Sequence, residues 1–506
     1  MKRVTKRANK GKNELGLSVC LGLAASVLAF SGCGGSATNM TTTTPASTMQ
    51  TSAVTLTVTD APPTGVTVLS FEVSVNSAVL NPGNVQLITT PQRIEVKQLE
   101  TDSAFLSTMN VPAGTYQSIT VNVTNPELTV MNNSGGAIGN CANNSVCHLE
   151  PAAAGNVTFS AAPFPVVLAG GSPTGFQVDL NVANLLSGTL GIDFNAAGAI
   201  NVAQLPLPGQ ANNNDQLDDV DDLLGTAENL DAADSQFTLH TMSGDFQIQA
   251  NTNTQFDLEG CAADNFSCIQ TGQVVEVDSE VMSGGTFIAR KIESEDNDNG
   301  DDKGGDTNQG ENEVEGIVFK IDDATHFEIV VLGELNATSN VALGNPVVVT
   351  LSSPQFQVDA NGLNVPGALQ GAFEQATDTS QLMPGQEVQI RSTGGGSTMG
   401  SPLTMTTNRV RLRETQFTAT VSGAPVPPNF TVSNLPGLFT SMGVTSILVQ
   451  TSSQTNFQNN GGQGSNGQGG TGLGSLADQS QVSLRGLLFA NGANPPTLIV
   501  DKVRKR

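Results

Sequence analysis

From Ala53 onward, apolar and polar residues alternate in short runs. Examples are "VTLTVTDAPP" from Val54, "LSFEVSVNSAVL" from Leu69, "RIEVKQL" from Arg93 and "SITVNVTNPELTV" from Ser118. A period of two puts successive side chains on opposite faces of a strand, and the Pro, Gly and Asn clusters between the runs are turn chemistry. No stretch sustains a helical period, so the pattern predicts an all-β chain with short helical turns at most, such as Asp102 to Met109. Phe237, Phe246, Phe327 and Phe356 fall on alternating positions and read as core. Tyr116 follows the turn Pro112-Ala113-Gly114-Thr115 and reads as a core and corner residue.

The second half repeats itself. "LLGTAENLDAADSQFTLHT" from Leu223 has the rhythm of "VEGIVFKIDDATHFEIVVLG" from Val314, and Gln255-Phe256, Gln355-Phe356 and Asn456-Phe457 fall in matching places. "TGQVVEVDSEV", "PGQEVQIRS" and "DQSQVSLRG" correspond, and each copy closes with "TFIARKIE", "MTTNRVRLRE" or "TLIVDKVRKR". This predicts three small closed β-barrels, at 222–295, 314–413 and 415–505, joined by acidic or Gly-rich linkers such as 296–313. Pro112-Ala113-Gly114-Thr115-Tyr116 resembles a motif of prealbumin-like and immunoglobulin-like sandwiches, and the resemblance implies a β-sandwich over 53–207. Small modules in series predict reach and multivalent weak contact.

The ends change the picture. Lys2, Arg3, Lys6, Arg7, Lys10 and Lys12 precede an apolar segment from Leu15 to Phe30, the layout of a secretory signal over 1–32. The segment is short of the roughly 20 apolar residues a spanning helix needs. "GGSATNMTTTTPASTMQTS" after Cys33 reads as a flexible tether over 33–52.

Three resemblances rest on these residues. Phe30-Ser31-Gly32-Cys33 resembles the lipobox of bacterial lipoproteins, with Phe30 in place of the usual leucine. That resemblance implies cleavage before Cys33, lipidation of its thiol and retention on a membrane by the acyl chains. "LTVTDAP", "FEVSVNSAVL", "VPAGTYQSITVNV" and "GFQVDLNVANLL" resemble the extracytoplasmic family catalogued as domain of unknown function 4382. The three repeats resemble domain of unknown function 5666, found on bacterial envelope proteins, and imply small barrels of the oligonucleotide-binding type. Neither family carries an assigned activity.

Charge excludes one class of partner. The net charge is -25, and loss of residues 1–32 removes six basic side chains and Glu14, leaving -30. Single-strand binding needs a basic groove with stacking aromatics, and this chain has no Trp and one Tyr, so nucleic acid is not an expected partner. Outside the signal and anchor, Cys141 with Cys147 and Cys261 with Cys268 form two local pairs, which predict two disulfides in a chain bound for the envelope. Zinc is the alternative, with His148 beside Cys147, but the C-x2-C spacing is missing.

The candidate chemistry is sparse. "ESEDNDNGDDKGGDTNQGENEVE" at Glu293 to Glu315 offers oxygen ligands at short spacing, and Asp296, Asp298 and Asp301 are the best placed for Ca2+. Counted as an EF-hand from Glu295, Gly300 stands at position six and Asp306 at twelve, but Asn297 and Asn299 take positions three and five and no flanking helix is evident. A solvated linker explains the same letters. His148, His240 and His326 are not in an H-E-x-x-H arrangement, and neither a G-x-S-x-G elbow nor a P-loop is present. The expectation is a non-catalytic lipid-anchored protein of the cell envelope, on the periplasmic or surface face of the outer membrane, that displays β modules to an envelope protein or extracellular polymer. A calcium-assisted subunit for polysaccharide binding is the rival reading, and a hydrolase within 53–207 lacks a nucleophile with its base.

Overall fold

The alternation of Val54, Leu56 and Val58 with Thr55, Thr57 and Thr59 makes Thr51–Ala61 a two-faced strand. In the computed structural model it lies inside a four-stranded sheet, ordered Ile200–Leu205, Thr174–Asn181, Thr51–Ala61, Ala104–Pro112, with its partner Thr174–Asn181 parallel. The structure describes residues 50–61, 66–150, 154–205, 216–241, 244–258, 263, 265–282, 285–294, 313–335, 342–360, 363–392, 403–453, 455–459, 463–465, 472–492 and 495–506. A second sheet is built on the long hairpin Thr67–Asn81 with Ser118–Met131, flanked by Val85–Gln86, Gln92–Glu95, Val146–Leu149 and Ala154–Phe159. Val54, Leu56 and Phe176 of the first sheet meet Phe71, Val73 and Val121 of the second in one core, as in a β-sandwich. Tyr116 is buried there and its hydroxyl donates to Pro112 O at 2.9 Å, locking the corner.

The rest of the chain repeats one strand order three times. In the first barrel Gln216–Asp231, Gln236–Thr241 and Gly244–Gln249 form a meander; Phe287–Ser294 joins the third strand in parallel, and Val274–Met282 closes onto the first. The order 1-2-3-5-4-1 recurs through Glu313–Ile321, His326–Leu335, Pro346–Val358, Leu403–Val426 and Glu387–Ser392. It recurs again through Leu403–Val426, Asn429–Ser433, Ile447–Gln450, Thr497–Lys505 and Gln481–Phe489. Closure of five strands in Greek-key order is the architecture of the oligonucleotide-binding barrel. The matching dipeptides all pair in parallel with the fifth strand: Phe256 opposite Ile292, Phe356 opposite Val410, and Phe457 opposite Val503. Before the fourth strand, Gly272, Gly385 and Gln479 share a left-handed turn at φ of +86°, +94° and +67°, and each N–H returns to the first strand.

Several expectations change. The first barrel, expected from 222, begins earlier, because its first strand starts at Gln216. No linker separates the second and third barrels, because Leu403–Val426 runs unbroken through 413–415 and serves both. The helical turn lies at Val96–Leu99, and Ala104–Pro112 is a strand, since Thr51–Ala61 supplies its ladder partner. Of the linker 296–313, only Glu313 falls among the described residues, and it begins the second barrel.

The modules are not beads on a string either; Met49–Arg506 is one compact unit. Phe105 of the sandwich sits edge-on to Phe287 and Phe246 of the first barrel, with ring centroids 4.8 and 5.8 Å away. Leu69 and Met131 pack against Ile317, Phe319, Val330 and Leu332 on the outside of the second barrel and against Leu438 of the third. Phe373, on the helix Gly367–Glu374, joins Phe356 of its own barrel to Phe489 of the third. At Gly385 a Cβ would stand 2.1 Å from the Phe439 ring, so glycine lets the second and third barrels close on each other.

Ion pairs buried between modules complete the joint. Asp102 accepts from Lys502 Nζ at 2.5 Å and from Thr101 Oγ1 at 2.9 Å, with Arg485 Nη1 at 3.5 Å. Asp102, Arg485 and Lys502 are 5%, 1% and 0% exposed, so the pair's attraction is unscreened and its desolvation is complete. Arg413 likewise reaches Glu276 of the first barrel at 2.5 Å, and Glu315 and Asp359 of its own.

Removing one member of such a pair leaves an uncompensated buried charge, so Asp102→Ala is expected to lose about 3–5 kcal/mol in urea unfolding. Adding Lys502→Met should restore part of that loss, because the apolar pair no longer strands a charge. A double variant no more stable than Asp102→Ala would contradict this account.

Candidate functional site

The described histidines each tie down local structure. His148 Nδ1 lies 2.9 Å from Thr129 Oγ1. His240 Nδ1 lies 2.5 Å from Asp245, both exposed, and the hydrogen bond to that carboxylate, then its charge, raises the imidazole pKa. His326 pairs with Asp323 at 2.9 Å; the Thr325 N–H, then His326, lower that carboxyl to about 2. Both pairs are polar ties at the surface of a barrel.

Cys141 and Cys147 form a disulfide, closing an exposed Gly- and Asn-rich loop. The buried Asn132 amide braces it, donating to Gly136 O and Cys141 O and accepting from Ser134 N. Cys268 is disulfide-bonded. Its expected partner Cys261 lies outside the described residues, as do Cys33, Asp296, Asp298 and Asp301. Among the described residues no group of three His, Cys, Asp or Glu side chains could hold a metal ion.

The strongest electrostatics lie instead at the joint between sandwich and third barrel, in the segment Glu95 to Asp102. Glu95 caps the turn Val96–Leu99, accepting from Lys97 N at 3.0 Å, Phe71 N at 2.7 Å and Ser70 Oγ at 2.6 Å. Burial raises its pKa, and the three donors and Lys97 offset that only in part. Lys97 Nζ lies 2.8 Å from Glu100 and donates to Gln416 O at 2.7 Å, while Thr418 Oγ1 donates to Glu100 at 2.9 Å. Arg506 donates to Glu100 O, and Arg504 to Thr59 Oγ1. A second buried group links the first two barrels. Burial raises the Asp359 pKa, but Arg413, Lys291 and Arg411 outweigh it and hold that carboxyl low. Burial and then Asp359 raise Glu293.

Above the Lys97 and Glu100 pair opens a cavity of about 440 Å3, shared by sandwich, second barrel and third barrel. Val68, Ile317, Leu438 and the edge-to-face rings of Phe417 and Phe439, 5.0 Å apart, make its apolar wall. Its volume suits a small ligand. The charged residues lining it are the paired Lys97 and Glu100. Sequence reasoning missed this joint. One signal was present: Glu95, Lys97, Glu100 and Asp102 are the only charged residues between Arg93 and Glu127.

Residues 225–293 match the family model described as Domain of unknown function (DUF5666). The DUF5666 segment thus covers the first barrel from Gly225, and the second and third barrels share its strand order. No curated protein matches the chain. Among solved structures, one titled "drosophila Unr CSD456" shares 9% identity, covering 57% of this chain and 98% of that one, at a TM-score of 0.12.

Glu95 supplies a test of the joint. Its raised folded pKa means that its stabilising contribution is complete below the unfolded value, near 4.5, and is lost as pH rises through the folded value. Glu95→Gln should therefore flatten that decline in urea midpoints measured upward from pH 4.5. An identical pH profile for both proteins would remove Glu95 as its source.

Proposed function

We propose that this chain is a non-catalytic, lipid-anchored protein of the bacterial cell envelope, on the outer membrane, that presents its β modules as one rigid body to an envelope partner or extracellular polymer. The observation that carries the reading is the welding of sandwich and barrels through buried ion pairs at Asp102 and Arg413. Charged groups that could have been tuned for catalysis are spent on holding modules together. The anchor is Cys33, set behind a basic and then apolar segment. The likeness of the sandwich to domain of unknown function 4382, and of all three barrels to domain of unknown function 5666, belongs to the same proposal. The net charge of -25 and the low aromatic content count against nucleic acid as the partner.

Fractionation of cells carrying Cys33→Ser tests the anchor: the variant should move from membrane to soluble fraction, whereas wild-type protein sediments with membranes. Equal sedimentation of both would sink it. Protease shaving of intact cells, with a periplasmic protein as leakage control, then separates surface from periplasmic display.

The acidic run holding Asp296, Asp298 and Asp301 motivates a second reading, a calcium-assisted subunit for polysaccharide binding. Calorimetric titration with calcium should give saturable heat that vanishes in the triple Asn variant of those residues; no heat at millimolar calcium removes the reading.

A further inference from the structure

Charged residues make up 13% of the chain, yet residues 73–92, 103–126 and 151–178 contain none. Short charged stretches separate these three segments in sequence, and the sandwich brings strands from each of them together. The strands Thr67–Asn81, Ser118–Met131 and Ala154–Phe159 lie side by side in its second sheet. Toward Leu69 and Met131 the outer face of that sheet is apolar and covered by the second barrel. Past Glu72, Arg93 and Glu127 it carries amides and hydroxyls that reach solvent.

Those side chains form a ladder across three strands. Asn76 Nδ2 donates to Asn122 Oδ1 at 2.8 Å and to Thr124 Oγ1 at 2.7 Å. Asn122 Nδ2 donates to Asn156 Oδ1 at 2.7 Å, and the Thr120 and Thr158 hydroxyls meet at 3.0 Å. Neighbouring strands stand about 4.8 Å apart, so these polar groups lie close together across the sheet. The mutual bonds order the side chains before any ligand arrives, which lowers the entropy lost on binding. They also leave capacity unused: the Asn76 carbonyl, the Asn156 amide protons and the Thr124 hydroxyl proton have no partner among the described residues. The ladder therefore offers both donors and acceptors, with no net charge.

We infer that this face binds a neutral polysaccharide, whose hydroxyls are donors and acceptors together. The inference rests on the reading of the chain as a polymer-binding envelope protein and names the polymer's chemistry and its site. A chain of charge -25 repels an anionic polymer, and this face has no cation to counter that repulsion. Insertion into a lipid surface calls for apolar, aromatic or basic groups, which the ladder lacks.

The test is affinity gel electrophoresis of the full-length protein in detergent, with dextran, pullulan or lichenan in the gel, alginate as the anionic polymer, and flotation with phosphatidylcholine vesicles in parallel. At least one neutral polysaccharide should retard the wild-type protein, and Asn122→Ala with Asn156→Ala should weaken that retardation about tenfold, the effect of losing two hydrogen-bonding side chains. Unchanged urea midpoints will show that the double variant is folded, and Thr431→Ala with Ser433→Ala on the third barrel should leave retardation intact. No retardation by any neutral polymer, equal retardation of the double variant, stronger retardation by alginate, or flotation with vesicles alone would each overturn the inference. Loss of binding with membrane retention preserved would fell only the ligand assignment; loss of retention with binding preserved would fell only the anchor.

Discussion

A carboxylate with almost no access to water, Asp102, holds the molecule together. It sits where the sandwich ends its turn Val96–Leu99, and it is met by Lys502 and Arg485 from the third barrel. In a dry interface such charges are tolerable only as a matched set, since separation would leave each of them desolvated and alone. The consequence is positional. With Asp102 fixed, the final strand Thr497–Lys505 is held beside Thr51–Ala61, and Arg504 reaches Thr59. The threonines of Thr51–Ala61 are buried: Thr55 bonds Thr108, and Thr59 donates to the Leu99 and Asp102 carbonyls.

The repeated barrels show how one module is adapted to different neighbours. Lys291, Arg409 and Lys502 occupy the same register, opposite Gln255, Gln355 and Asn456. Each is buried and paired, but the acid comes from a different source: Glu293 on the same strand, Glu313 on the first strand of the second barrel, and Asp102 of the sandwich. The basic position is a socket common to the fold, and the supplier of the acid decides what docks there. In the second barrel the outer positions Ile317, Phe319, Val330 and Leu332 are apolar and covered, so that part of its surface is a structural contact. A shared barrel architecture therefore does not transfer the oligonucleotide-binding role.

Two kinds of surface remain. At the joint, the cavity above Lys97 and Glu100 is walled by residues from three modules, so its shape depends on the welding. On the sandwich, the charge-free end presents ordered amides and hydroxyls built on a single sheet. The first is sensitive to how modules meet; the second is a property of one domain.

The alternation of apolar and polar residues by itself determined the all-β class, the matching dipeptides of the three repeats and the burial of Tyr116, because strand periodicity and turn chemistry are local. The Cys141 and Cys147 pairing was legible for the same reason, as the cysteines are close in sequence. Alternation marks a polar face on Thr51–Ala61 but does not tell that this face too is buried, since its burial depends on what packs against it. Boundaries misread as linkers failed similarly: nothing local in Arg413-Glu414-Thr415 tells that one strand serves two barrels. The partners of Asp102 lie 383 and 400 positions away, and the three uncharged segments meet only through strand pairing. Tertiary structure alone decided those contacts, because matching buried charges and aligning distant strands are properties of how modules dock and carry no period that a sequence can display.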